Sequence, residues 1–211
     1  MKHYATGRSG AREDFCRYLA GCYYEPSEVF REERLFEAMF AASSAIDAEL
    51  AESVRRLGEA FDQQTLQDLL VDHTQLFIGP AQPTAMPYAS FWLTDDPSQR
   101  HAATMTVLGL YEEGGFDVSD EFRELPDHLA AELEFLYLLI HSQNHGQAAG
   151  GVIDAADAAR LRRRFVSDHL ASWIDPFAAA VDVGATTAFY RELARCTQHF
   201  LRLEAASEPL N

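Results

Sequence analysis

The sequence predicts an all-α protein, a single helical-bundle-like domain of about 8–10 helices. Apolar residues recur at the three- and four-residue intervals of amphipathic helices along most of the chain. No stretch carries the alternating apolar and polar pattern that indicates a β-strand. The 211 residues are 47% hydrophobic, which is enough to build one core of generous size.

The predicted helical domain occupies residues 11–204, between a flexible tail at 1–10 and a second tail at 205–211. Its first helix is expected from about Ala11 to Tyr24. Pro26 ends that helix, because proline has no N–H group to continue the helical hydrogen bonds.

Three further helices are predicted before Gly79-Pro80. Ser27 caps the second helix, and Asp62 ends the third. The fourth runs from about Gln63 to Phe77 and is stopped by Gly79-Pro80. Their apolar faces contain Phe30, Leu35, Phe36, Met39 and Phe40 in the second, Ile46, Leu50, Val54, Leu57 and Phe61 in the third, and Leu66, Leu69, Leu70 and Phe77 in the fourth.

The segment from Gly79 to Trp92, GPAQPTAMPYASFW, contains three prolines and three aromatic residues. The prolines predict that it is not helical, and its apolar character predicts an ordered loop packed on the protein. Loops of this length in compact domains are often functional, whereas the aromatic residues would equally serve to cover the core. The sequence leaves both interpretations open.

The remaining helices have clear boundary signals. Asp96-Pro97 starts a helix that ends at Gly114-Gly115, and Asp154 caps the next one. That helix is expected to kink or restart at Pro176. Thr186 or Thr187 opens the last helix.

The central helix is predicted over Glu124 to His145, ELPDHLAAELEFLYLLIHSQNH, because apolar residues cover most of its circumference. Pro126 suits the first turn, and Asp127 places negative charge at the positive end of the helix dipole. Glu124, Asp127 and His128 therefore gather at the start of this helix. Such a group is either a simple helix cap or part of a binding site.

Composition excludes some classes of protein. The chain has 33 acidic and 17 basic residues, a net charge of −16, which argues against nucleic-acid binding and suits a basic ligand. Its three cysteines form no Cys-x-x-Cys pair and fit a reducing compartment. Neither an export signal nor a membrane span is evident, so we expect a cytoplasmic protein.

Catalytic and metal-binding motifs are mostly absent. We find no nucleophile elbow, phosphate-binding loop, dinucleotide fingerprint or zinc-protease motif. His141 and His145 have a spacing that can chelate a metal, as do His128 and Glu132, but no third ligand is evident. We therefore predict no catalytic residue, no cofactor and no metal. A small helical enzyme or metal protein remains a competing class.

Three separated motifs resemble one family. The stretch DHTQLFIGP at 72–80, followed by the prolines and Tyr88 of the loop, resembles the LF-x-GP segment of the TorD/DmsD/NarJ chaperones for molybdenum oxidoreductases. ELPDH at 124–128, followed by ELEFL at 132–136, resembles the E-x-x-D-H helix start of that family. Phe165, His169, Leu170, Trp173 and Phe177 resemble its F-xxx-HL-xx-W-xxx-F helix.

The resemblance implies an all-helical cytoplasmic chaperone, monomeric or a domain-swapped dimer. It would bind the twin-arginine signal peptide, the apo body, or both, of a molybdopterin oxidoreductase subunit until cofactor insertion and export. It implies no direct membrane insertion. The family's peptide-binding region, transferred to matching positions, falls on Leu76, Phe77, Pro87, Tyr88, Trp92, Glu124, Asp127 and His128.

A receptor for a twin-arginine leader needs carboxylates beside an aromatic groove. Glu124, Asp127 and Glu132 are candidates for the carboxylates, and Phe77, Tyr88, Phe91 and Trp92 for the groove. We hypothesise that Asp127 accepts hydrogen bonds from an arginine and that His128 fixes the loop against the helix. The alternative is a generic helical protein-protein adaptor without a role in cofactor maturation.

Overall fold

The computed structural model describes residues 7–79, 83–117, 124–146 and 153–206. Within these ranges the protein is all-α, as predicted, and the β-structure there is one isolated bridge between Tyr88 and His128. The α-helices are α1 (Arg8–Gly21), α2 (Val29–Glu32), α3 (Leu35–Ile46), α4 (Ala48–Asp62), α5 (Leu66–His73), α6 (Ala89–Leu93), α7 (Arg100–Glu113), α8 (Leu129–His145), α9 (Ala155–Arg164), α10 (Ala171–Gly184) and α11 (Ala188–Ala205).

The central helix α8 lies between α1 and α9, and further helices pack around this group. α1 also packs on α3, α3 on α4, α4 on α11 and α11 on α10. The core between them is rich in aromatic side chains, and those without solvent exposure include Phe15, Phe165, Trp173, Phe177, Phe189 and Phe200. In the part of the chain that the structure describes, no helix has the length and apolarity needed to cross a membrane.

The first half of the chain follows the predicted order of helices, with different boundaries. α1 begins at Arg8, three residues before the expected start, and residues 1–6 of the predicted tail lie outside the described residues. The predicted second helix is two helices, because Arg34 adopts a left-handed backbone conformation (φ 55°) between α2 and α3. Ser27 does not cap α2, whose N-cap is Glu28.

The end of the predicted fourth helix has a different geometry from its start. α5 ends at His73, and the chain continues as a π-helical turn over Thr74–Ile78 that closes at Gly79. Gly79 has φ 65°, and an added Cβ there would lie 3.1 Å from the backbone nitrogen of Pro83. Leu76 and Phe77 are therefore placed by a π-turn, a feature that often marks functional positions.

The second half of the chain also contains a π-turn. Asp154 caps α9 by accepting a hydrogen bond from the backbone N–H of Asp157 at 2.8 Å, as predicted. Of the two possibilities expected at Pro176, the restart is wrong, because α10 runs through Pro176, and the kink stays a prediction. The change of helical geometry comes earlier, in a π-helical turn at Phe165–Leu170. Thr187 is the N-cap of α11, as expected.

Candidate functional site

The loop before α6 is packed between the first π-turn and the start of α8. The backbone N–H of Ala85 donates to the carbonyl of Leu76 at 2.9 Å, and that of Leu129 donates to the carbonyl of Pro87 at 2.8 Å. Ala89 N–H donates to the carbonyl of Asp127 at 2.9 Å. The predicted packed loop is thus confirmed for residues 83–88, whereas 80–82 lie outside the described residues.

The prediction that the whole segment is non-helical is wrong at its end. The last proline is Pro87, and α6 begins two residues later at Ala89. Asp127 caps the start of this short helix, since its Oδ2 accepts a hydrogen bond from the backbone N–H of Ser90 at 2.9 Å.

Asp127 is buried beneath the site and has a structural role. Its side chain has no solvent exposure, and its second oxygen, Oδ1, accepts a hydrogen bond from Thr104 Oγ1 at 3.1 Å. The carboxylate therefore ties α6 and α7 to the residues before α8. The expectation that Pro126 and Asp127 form the first turn of α8 is wrong, because α8 begins at Leu129 and both residues lie in the preceding turn.

His128 is the N-cap of α8. Its Nδ1 accepts a hydrogen bond from the backbone N–H of Ala130 at 3.1 Å, which requires an unprotonated Nδ1. The imidazole stacks on Tyr24 at 6.4 Å between ring centroids and meets Tyr88 edge-on at 5.2 Å. Burial lowers the pKa of His128 to about 4, so the ring is neutral at physiological pH.

Two tyrosine–glutamate pairs lie on either side of this histidine. The Tyr24 hydroxyl donates to Glu134 Oε1 at 2.7 Å, and the Tyr88 hydroxyl donates to Glu124 Oε2. Burial, reinforced by the bonded carboxylate, raises the pKa of both tyrosines, so each remains a donor. Both glutamates are exposed. We call Tyr24, Tyr88, Glu124, His128 and Glu134 the acidic face.

Sequence reasoning missed two members of the acidic face. Tyr24 lies about a hundred residues before the motif at 124–128, and nothing in the sequence connects the two. Glu134 follows Glu132 by two residues in α8. The two side chains therefore point to different sides of the helix, but the sequence alone does not show which side faces the core and which faces solvent.

Glu132 points into the core and does not reach the acidic face. Its side chain has no solvent exposure, and its two oxygens accept hydrogen bonds from His169 Nε2 at 2.7 Å and from Trp173 Nε1 at 3.2 Å. Burial raises the pKa of Glu132. Burial alone would lower the pKa of His169, but the Glu132 carboxylate outweighs it and raises that pKa.

The aromatic and apolar candidates are divided between core and surface. Leu76 is fully buried, and Phe77, only 6% exposed, packs among aromatic rings that include Phe177. Pro87 is also buried. Trp92 is half-buried and donates through Nε1 to the carbonyl of Met86 at 2.7 Å. Exposed apolar side chains adjoining these motifs include Ile78 (58% exposed), Leu125 (53%) and Leu93 (39%).

A groove of about 360 Å³ lies elsewhere, between α2, α3 and α4. Its walls include Phe30, Phe36, Phe40 and Phe61, and it contains none of the eight predicted site residues. The acidic face is therefore not part of this groove.

The described residues thus form an all-α protein with an acidic and aromatic surface beside α8. Comparison with known proteins gives its family. The family model for the nitrate reductase delta subunit matches residues 43–179, and the chain belongs to this family. The predicted family relationship is thereby confirmed.

Similar curated proteins include chaperone proteins TorD. The one from Shewanella pealeana is 26% identical over 178 residues, which cover 81% of this chain and 74% of the relative. One from Vibrio cholerae O395 is 28% identical over 180 residues, which cover 85% and 78% respectively. A solved structure of a proposed redox enzyme maturation protein from Archaeoglobus fulgidus shares the fold, with 20% identity, a TM-score of 0.52 and coverage of 96% and 98%. These findings support a maturation-chaperone role and do not support the generic adaptor.

Proposed function

We propose that this chaperone binds the twin-arginine leader of a molybdopterin oxidoreductase subunit at the acidic face. The observation that carries the proposal is the pair of exposed carboxylates, Glu124 and Glu134, each hydrogen-bonded to a tyrosine hydroxyl beside His128. Two adjacent guanidinium groups in a leader would each find a carboxylate there.

In this proposal Glu124, rather than Asp127, contacts an arginine. Asp127 is buried and its two oxygens already accept hydrogen bonds from Ser90 and Thr104. Glu124 is exposed, and within the described residues its carboxylate accepts a hydrogen bond from Tyr88 alone. Asp127 and His128 position the surface by fixing α6 and the loop against the start of α8.

The apolar part of a leader would contact side chains next to the carboxylates. Leu125 follows Glu124 and is exposed, and Trp92 is half-buried at the end of α6. Leu76, Phe77 and Pro87 support the loop from the core side, so their part in binding is indirect. Exposed Ile78 adds apolar surface next to Phe77.

The same proposal implies which protein is bound, a leader-bearing oxidoreductase subunit, and in which compartment it is bound. A leader is still attached to its subunit in the cytoplasm, where a molybdopterin cofactor would be inserted before export. The net charge of −16 would speed the approach of a basic leader. The proposal includes no catalytic step and no cofactor held by the chaperone.

The experiment is a calorimetric titration of the protein with synthetic twin-arginine leaders of the molybdoenzymes from its own genome. We expect micromolar or tighter binding to one leader and much weaker binding to its twin-lysine version, because lysine cannot form the two-pronged contact. Glu124→Gln should lower the affinity about tenfold. Absence of binding to every leader would overturn the proposal.

Two control variants separate a local contact from general effects. Glu49→Gln makes the same charge change at an exposed position at the start of α4 and should leave the affinity within about twofold. Phe40→Ala removes an exposed ring from the groove between α2, α3 and α4. A loss of affinity in Phe40→Ala with none in Glu124→Gln would place the leader in that groove instead.

A further inference from the structure

A second cluster of chemically active side chains lies near the other end of α8. His141 and His145 are one helical turn apart, and Glu13 of α1 faces both. Glu13 Oε1 accepts a hydrogen bond from His141 Nδ1 at 2.8 Å, and its Oε2 lies 3.1 Å from His145 Nε2. The sequence offered no third ligand for the histidine pair because Glu13 is 128 residues away from His141.

We propose that Glu13, His141 and His145 form a binding site for a divalent transition-metal ion, with Zn²⁺ the best match. One ligand atom from each residue lies within 4.8 Å of the other two. Tetrahedral Zn²⁺ with bonds of about 2.0–2.1 Å holds its ligand atoms about 3.3 Å apart. Small side-chain movements are therefore enough to bring the three atoms around an ion.

The donor atoms select the class of metal. Two imidazole nitrogens and one carboxylate oxygen suit Zn²⁺, Co²⁺ or Ni²⁺, whereas Mg²⁺ and Ca²⁺ prefer sites made of oxygen. All three side chains are partly exposed, at 14% for Glu13, 32% for His141 and 39% for His145. An ion can thus enter from solvent, and the fourth position would be open to water.

Neighbouring residues hold the carboxylate in place. Asn144 Nδ2 donates to Glu13 Oε2 at 3.0 Å, and the Ser9 hydroxyl donates to the side-chain oxygen of Asn144. Such outer contacts orient metal ligands.

The metal site is separate from the acidic face. The two share no residue, and Glu134, the member of the acidic face closest to it along α8, lies seven residues before His141, about 10 Å along the helix axis. An ion at this site would join α1 to the end of α8 and stabilise the folded protein by mass action. The inference does not rest on leader binding, and either proposal can fail alone.

The test is a calorimetric titration of tag-free, chelator-washed protein with Zn²⁺. We expect saturation at one equivalent, and we expect Glu13→Gln and His145→Ala to weaken binding by about tenfold or more. Saturating Zn²⁺ should also raise the unfolding temperature of the native protein and not that of the variants. Circular dichroism checks that each variant is folded.

Two further histidines provide matched controls. His101 is exposed on α7, and His199 lies on α11 next to Asp47, both outside the cluster. His101→Ala and His199→Ala should bind Zn²⁺ like the native protein. Co²⁺ added to the native protein should give the visible absorption of a low-coordinate site, a measurement that needs no variant. Absence of saturable binding, or Zn²⁺ affinity unchanged in folded Glu13→Gln, would overturn the proposal.

Discussion

Asp72 is a fully buried carboxylate that holds the entry to α11 from the end of α5. Its two oxygens accept hydrogen bonds from the backbone N–H groups of Thr186 at 3.0 Å and Thr187 at 2.8 Å. The Thr187 hydroxyl donates a third bond at 2.6 Å. Asp72 is thus an N-terminal cap supplied by a distant helix.

We expect Asp72→Ala to lower the free energy of unfolding by about 2–4 kcal/mol, because it leaves buried N–H groups without an acceptor. Urea unfolding followed by circular dichroism measures the change. Asp62→Ala, at an exposed position at the end of α4, should change stability by no more than about 0.5 kcal/mol. Equal stability of the two variants would contradict the capping role of Asp72.

The pKa of His128 predicts a specific dependence of stability on pH. The folded-state value of about 4 is below the ordinary value of 6.5, so the unfolded chain binds a proton that the folded protein does not. The free energy of unfolding should therefore be highest above pH 6.5 and fall as the pH drops toward 4, by at most about 3 kcal/mol from this group.

The comparison that isolates His128 is with His128→Asn, which keeps an N-cap acceptor but does not titrate. Its stability should decrease less than that of the native protein between pH 7 and pH 5. His73, whose pKa is also lowered by burial, contributes to both proteins alike. Parallel pH profiles for the two proteins would show that His128 is not the group responsible.

The residues at and directly beneath the acidic face were predictable in part. The motif at 124–128 brought Glu124, Asp127 and His128 together, because neighbours in a helix-start motif are necessarily close in space. Their roles were not predictable, since Asp127 caps α6 rather than α8. Sequence spacing does not reveal which helix start a carboxylate will meet.

At the scale of elements, the fit of the loop against α10 depends on Gly184. A Cβ added at Gly184 would lie 2.3 Å from Thr84 Cγ2 and 2.8 Å from Thr84 Cβ. These separations are too short for any real contact, so the loop residue and α10 would have to move apart. Gly184 is therefore required by the close approach of the loop.

We expect Gly184→Ala to destabilise the protein by about 1–3 kcal/mol through overpacking, and to loosen the loop before α6. Adding Thr84→Gly, which removes both crowded atoms, should recover part of the loss. The matched control is Gly109→Ala in α7, where an added Cβ meets nothing within 4 Å and helix propensity favours alanine. Thermal unfolding compares the variants, and a loss in Gly109→Ala as large as that in Gly184→Ala would refute the packing argument.

Helix boundaries were predictable where a cap is local and not where tertiary contacts decide. Asp154 begins α9 as the sequence indicates, because its side chain caps the residues next to it, whereas the predicted start of α11 at Thr187 is held by the distant Asp72. The split at Arg34 and the late start of α8 at Leu129 have no such local signal. In the latter case, hydrogen bonds from the loop to the backbone around Asp127 replace a first helical turn.

At the scale of the whole molecule, the periodicity of apolar residues was sufficient for the all-α fold. It was not sufficient for sites made by elements that are distant in sequence. Tyr24 meets the acidic face and Glu13 meets the histidine pair because α1 packs along α8. That packing follows from the shared core of the protein, which a linear pattern does not specify.

The most direct test of the account is a double-mutant cycle between the acidic face and the leader. Glu124→Gln and Glu134→Gln would each be titrated with leaders in which one or the other arginine is replaced by glutamine. We predict a coupling energy of about 1–2 kcal/mol between each glutamate and one arginine, and additivity within about 0.5 kcal/mol for Glu49→Gln. If the losses of binding free energy from every pairing of a glutamate variant with an arginine variant simply add, the result would contradict leader binding at the acidic face.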